Sequence, residues 1–150
     1  MKTALFLRIA SVLTLIHAAL HTIGGVFGGA APGVQQATVA VMKANEFAVM
    51  GVMRSYGDFY RGLGLVVSVF LTVEAVVFWQ LGSLAKTDAV RLRPVLATFL
   101  VGYLCAAAVS YRYFFVAPVI TEILIALCLG LAIVFARQMV PGGVERRVVA

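Results

Sequence analysis

Residues 59–81 read FYRGLGLVVSVFLTVEAVVFWQL, and after Arg61 the only charge in that run is Glu74. Such a stretch matches the roughly 20 apolar residues that a helix needs to cross a bilayer. Three more runs of the same character lie at about residues 4–23, 95–113 and 114–136. The composition of the whole chain agrees. Of its 150 residues 63% are hydrophobic and 12% charged, where a soluble domain carries about 25% charged residues. The expectation is an all-α, integral membrane four-helix bundle forming a single domain over residues 1–150.

The connections order the spans. YRYFFVAP, residues 111–118, is so short that spans 3 and 4 must be antiparallel neighbours. KTDAVRLRP, residues 86–94, joins spans 2 and 3, and Pro94 suits the first turn of the third helix. Between spans 1 and 2 the chain is long: GGVFGGAAPG at 24–33 breaks the first helix, and Val34, Ala37, Val41, Asn45 and Ala48 then trace one helical side. This predicts a short interfacial helix over about residues 33–50, either a lid or a plain connector held down by Met42, Phe47 and Met50. The ending RQMVPGGVERRVVA is polar, is broken by Pro141, Gly142 and Gly143, and is expected to fray.

The net charge of +6 would suggest nucleic acid in a soluble protein; here the cations sit mostly at span ends, so membrane lipid is the expected partner and nucleic acid is not. Lys2, Arg8, Lys86, Arg91, Arg93, Arg137, Arg146 and Arg147 fall on one side, and Lys43, Arg54, Arg61 and Arg112 on the other. This imbalance predicts a multi-pass protein of the inner (cytoplasmic) membrane with both termini cytoplasmic. The first run is too long for the core of a secretory leader and is expected to be a true span. Cys105 and Cys128 lie inside apolar runs without close spacing and read as small core residues.

Ionisable groups inside the spans are the candidates for chemistry. A carboxylate within a span costs about 2.5–3.5 kcal/mol on insertion scales, so Glu74 and Glu122 must face the interior, pair, or carry a proton. His17 and His21 are four apart, on one side of span 1. They read as imidazoles bonded to neighbouring helices, as a proton relay, or less readily as metal ligands, and no resident metal or cofactor is expected. Pro118, one turn before Glu122, is expected to bend span 4. At the mouth of span 2, Arg54, Asp58 and Arg61 are spaced by four and three, which predicts a carboxylate held between two guanidinium groups. Tyr56 and Tyr60 form a second stripe there. The cluster reads either as an ionic and aromatic collar or as a mouth for an anionic or hydroxylated head group. Tyr103, Tyr111 and Arg112 add hydroxyls and charge toward the same outer end. Gly102, Ala106 and Ser110, with Ala126 and Gly130 on span 4, make small-residue seams through which a second copy or a membrane partner could dock.

Met50, Gly51, Arg54, Ser55, Tyr56, Asp58, Phe59, Tyr60, Gly62 and Gly64 carry a pattern of Met-Gly, Arg-Ser-Tyr-x-Asp-Phe-Tyr and Gly-x-Gly. In these residues the chain resembles an uncharacterised family of small bacterial four-span membrane proteins, DoxX-like in layout. In that pattern an aromatic commonly follows the first tyrosine, whereas this chain has Gly57. The resemblance implies a fold and a motif but no activity.

The leading reading is a membrane protein that binds a lipophilic small molecule (isoprenoid, sterol-like or quinone) in a polar pocket in the outer half of the bundle. Acid/base isomerase or cyclase chemistry is its extension, with Glu122 or Asp58 as acid or base, His17 or His21 as relay and Arg61 as orienting group. Arg54, Tyr56, Tyr60, Glu74, Tyr103, Tyr111 and Arg112 complete the candidate ligand-binding set. The alternatives are a non-enzymatic accessory or scaffold subunit and, by analogy of layout alone, a DoxX-like quinone-linked redox subunit.

Overall fold

A computed structural model describes residues 2–136. Arg137, Arg146, Arg147 and the rest of the RQMVPGGVERRVVA ending lie outside the described residues. The chain is helical, and four of its helices are long and apolar enough to cross a membrane: Lys2–Val26, Tyr56–Asp88, Val90–Tyr113 and Val116–Phe135. This is a multi-pass membrane protein. Leu63, Val69 and Phe70 are each more than 60% exposed. Such a surface would drive association in water but is the ordinary outer face of a helix in lipid.

The elements in chain order are α1 (Lys2–Leu20), a π-helical turn His21–Val26, α2 (Val34–Ala44), β1 (Glu46–Val49), β2 (Val52–Ser55), α3 (Tyr56–Asp88), a 3-10 turn Val90–Leu92, α4 (Arg93–Tyr113) and α5 (Val116–Phe135). The described residues form two compact units, residues 11–77 and residues 2–10 with 78–136.

In the unit of residues 11–77, α1 and α3 run antiparallel along a polar seam. The Ser11 hydroxyl donates to the Ala75 carbonyl at 2.6 Å, Thr22 Oγ1 donates to Ser68 Oγ at 2.8 Å, and His21 Nε2 lies 3.1 Å from the Gly64 carbonyl. Ser11, Thr14, Ala18 and Ser68 are buried. Small and hydroxylated side chains let two helices approach closely where lipid supplies no hydrophobic force between them. A Cβ on Gly28, just past the π-turn, would overlap the Gly24 carbonyl, so this close return of the chain requires glycine.

The interfacial segment is shorter as a helix than its periodicity predicts. α2 stops at Ala44, and Glu46–Ser55 forms an antiparallel hairpin with Val49 opposite Val52. The two residues between them, Met50 at φ 48° and Gly51 at φ 86°, are both left-handed, the pairing that a two-residue hairpin needs. Phe47, Val49 and Val52 favour a pleated strand over a helix.

In the other unit the short Phe114–Phe115 link folds α5 back along α4. Ser110 Oγ donates to Glu122 Oε1 near the link, and Arg93 Nε donates to the Ile133 carbonyl at the far end. The start of α1 and the end of α3 complete a four-helix core. Phe6 stacks on Phe135 at 5.6 Å, and Phe78 meets Phe99 edge-on at 4.9 Å. Leu7, Phe78, Leu96, Ile125 and Leu129 have no exposure at all. The buried face of α4 is Leu96, Tyr103, Ala107 and Ser110, so of the expected Gly102–Ala106–Ser110 seam Ser110 is buried among the described residues, Ala106 is half-buried and Gly102 is exposed. Pro94 falls at the start of α4 as expected. Pro118 does not bend a helix. α5 begins at Val116, so Pro118 sits in its first turn, where the missing N–H has no intrahelical acceptor to lose.

Candidate functional site

The start of α3 is fixed by its sequence. The Asp58 N–H donates to Ser55 Oγ at 3.1 Å, while Asp58 Oδ2 accepts the Ser55 N–H at 2.8 Å and its hydroxyl at 2.9 Å. This reciprocal pair satisfies donors that the first turn of a helix leaves open. Asp58 is therefore a helix cap, and the expected clamp between two guanidinium groups does not form. Arg54 lies on β2, not on α3, so helical spacing does not aim it at Asp58; its Nη1 donates to the Met53 carbonyl at 2.7 Å. Ser55→Ala is expected to destabilise the protein by about 1 kcal/mol. The checks are the thermal midpoint in detergent and faster amide exchange confined to the first turn of α3.

The hairpin packs on this capped turn. The Phe47 ring lies 4.8 Å from Tyr56 and 5.8 Å from Phe59. Beside it the end of α2 comes so close that a Cβ on Gly57 would stand 3.3 Å from Lys43 Cα and 3.4 Å from its amide nitrogen. An aromatic at position 57 would have to displace α2, which accounts for glycine there.

Between these elements lies an open depression of about 280 Å³ lined by Lys43, Glu46, Ser55, Gly57, Asp58 and Arg61. It carries two cations and two carboxylates. One carboxylate, Asp58, is already engaged by the cap, which leaves Lys43, Arg61 and Glu46 as the free charges of the lining. No known protein family, curated protein or solved structure matches this chain.

The structure brings two of the expected site residues, Asp58 and Arg61, into this depression. Arg54, Tyr56 and Tyr60 surround the same turn without lining it, and the two tyrosines are well exposed. Lys43, Glu46 and Ser55 were not singled out by the sequence reading. For Lys43 and Glu46 the only signal was position, shortly before a motif dense in charge, on a segment read as helix to residue 50; Ser55 stands inside that motif.

The remaining candidates do not line this depression. His21 is held by the Gly64 carbonyl at the head of the π-turn. His17 is half-buried on α1, and its Nδ1 is buried without a hydrogen-bond partner among the described residues. No group of three or more His, Cys, Asp and Glu arranged to hold a metal ion occurs among the described residues. Glu74 is half-buried on α3 and is engaged. Tyr103 is buried against Phe78, with ring centres 6.1 Å apart. Tyr111 is exposed, and Arg112 lies over the neighbouring Tyr113 ring at 5.4 Å. Glu122 is buried on α5, with Oε1 bonded to Ser110 at 2.9 Å and Oε2 buried without a partner among the described residues.

Proposed function

We propose that this protein binds a lipophilic molecule of isoprenoid, sterol-like or quinone type, with an anionic or hydroxylated end seated in the depression at the start of α3. The observation that carries this reading is the pairing of Lys43 and Arg61 in one hollow at the start of a long apolar helix. A guanidinium offers a planar fork to an oxygen-rich head group, and an ammonium adds a mobile second charge. Leu65 and Val69, exposed four and eight residues past Arg61 toward the same side of α3, suit an apolar body lying along the helix. The count of cations at span ends supports placement in the inner membrane with both termini cytoplasmic, which puts the depression on the outer side.

A diazirine-bearing long-chain alkyl phosphate and its parent alcohol test the reading in nanodiscs. The label is expected on the hairpin or the first three turns of α3. Arg61→Gln is expected to reduce it about tenfold, the effect of losing one charge-assisted hydrogen bond. Label spread evenly over all four long helices, or unchanged in Arg61→Gln, would reject the site.

Acid/base chemistry is a separate proposal that rests on Glu122 in the other unit, whose Oε2 is buried without a hydrogen-bond partner among the described residues. A turnover that survives Glu122→Gln would remove that carboxyl from any mechanism.

A further inference from the structure

A second cationic site lies on the other unit, where the start of α1 crosses the end of α3. The Arg8 guanidinium lies 3.6 Å from the centre of the Trp79 ring, and its Nη2 donates to Ser83 Oγ at 3.0 Å. Its Nε is buried without a hydrogen-bond partner among the described residues. Gly82 makes room for this arrangement, because a Cβ there would stand 3.2 Å from Arg8 Nε and 3.4 Å from the Ala4 carbonyl. Trp79, Gly82, Ser83 and Lys86 succeed one another at helical spacings of three, one and three, so Lys86 adds a positive charge to the face that receives Arg8.

None of the contacts of Arg8 among the described residues is to a carboxylate. The acid nearest in sequence to this end of α3, Asp88, is taken by Arg91 at 2.8 Å. A guanidinium carries five donors in a fixed fork. One is spent on Ser83 and the ring holds the plane flat, which leaves donors and a full charge without an anion. Tryptophan and arginine together at the end of a membrane helix sit at the level of lipid head groups.

We propose that Arg8, Ser83 and Lys86, with Trp79 as the platform, bind a phosphate group, supplied by the head group of an anionic phospholipid or by a free phosphate. Phosphate suits this fork because two of its oxygens can accept parallel N–H donors while a third accepts the serine hydroxyl.

Trp79 is the only tryptophan in the chain, so its fluorescence reports this site alone. The test uses the full chain in phosphatidylcholine nanodiscs doped with brominated phosphatidylglycerol or, at the same fraction, brominated phosphatidylcholine. Local occupancy by the anionic lipid, read from quenching, is expected to exceed that of the zwitterionic lipid about five-fold, the factor expected for one basic residue at an anionic surface. Arg8→Gln is expected to bring the ratio close to one. Ser83→Ala, which removes only a hydroxyl on an exposed face, should lower the ratio without disturbing folding and serves if the arginine variant does not fold. Equal quenching by the two lipids in the unaltered protein overturns the proposal, as does a preference that survives both substitutions. Inorganic phosphate distinguishes the sources. A change in Trp79 emission in discs of phosphatidylcholine alone marks a site that also takes the soluble anion. No change, together with the lipid preference, marks a lipid site.

Discussion

Phe78→Ala is expected to be among the most damaging substitutions in the core, lowering stability by about 3 kcal/mol. Phe78 has no exposure and packs edge-on to Phe99 and at a tilt to Tyr103. In water the loss of a buried phenylalanine combines a transfer term with a cavity term. In a bilayer lipid is about as apolar as the core, so the transfer term weakens while the lost contacts remain. This places the effect at the low end of the usual range for Phe→Ala. Phe70→Ala on the same helix is the control: its ring is 63% exposed, and the expected cost is below about 0.5 kcal/mol. Reversible unfolding in mixed micelles measures both. Equal losses for the two would contradict the assignment of Phe78 to the core.

The second large effect concerns the buried carboxyl. Ser110→Ala removes the hydroxyl that serves Glu122 Oε1 and leaves both carboxyl oxygens buried without a bond among the described residues. An unsatisfied buried polar group costs about 1–3 kcal/mol, and that is the expected destabilisation. Glu122→Leu removes the demand itself, so Ser110→Ala made in that background should cost well under 1 kcal/mol. The pair is thus expected to be strongly non-additive in a double-mutant cycle. Additive effects would show that Ser110 does not support the carboxyl, and Glu122 would then be tolerated for another reason.

The spans were legible because charge is scarce and its positions are informative. Two charges only, Glu74 and Glu122, fall between the ends of the expected spans 2, 3 and 4 once their polar margins are set aside, and the structure carries helices through all three runs. Boundaries were less legible. α3 extends from Tyr56 to Asp88, because polar residues at either end of a membrane helix continue the backbone ladder into the head-group region while hydropathy reports only the apolar middle. The hairpin was missed for a chemical reason. Its turn is Met50–Gly51, not the Asn-Gly or Asp-Gly that usually announces two left-handed residues, and the preceding residues kept helical spacing to Ala48.

That one error propagated into the site. Reading Arg54, Asp58 and Arg61 as one helical side assumes that all three lie on α3. Arg54 is on β2, and only Asp58 and Arg61 keep the spacing that was used. The sequence Ser55-Tyr56-Gly57-Asp58 carried the capping signal openly, as a hydroxylated residue followed three positions later by a carboxylate, just before an apolar run. Charge counting hid it. Lys43 and Glu46 could not be assigned from periodicity, because their approach to α3 depends on the turn at Met50–Gly51 and on the missing side chain at Gly57. Glu122 was legible as a buried carboxyl from its span alone; its partner Ser110 stood in the sequence as part of a packing seam, a role that does not exclude a hydrogen bond.

Native mass spectrometry of the protein released from its membrane in mild detergent shows directly whether a lipophilic molecule is bound. A retained molecule is expected, one per chain, with an apolar body and an anionic or hydroxylated end, and Lys43→Gln or Arg61→Gln is expected to lower its retention about tenfold. Bare protein under conditions that preserve the fold, or a retained molecule indifferent to both substitutions, would contradict the proposed binding.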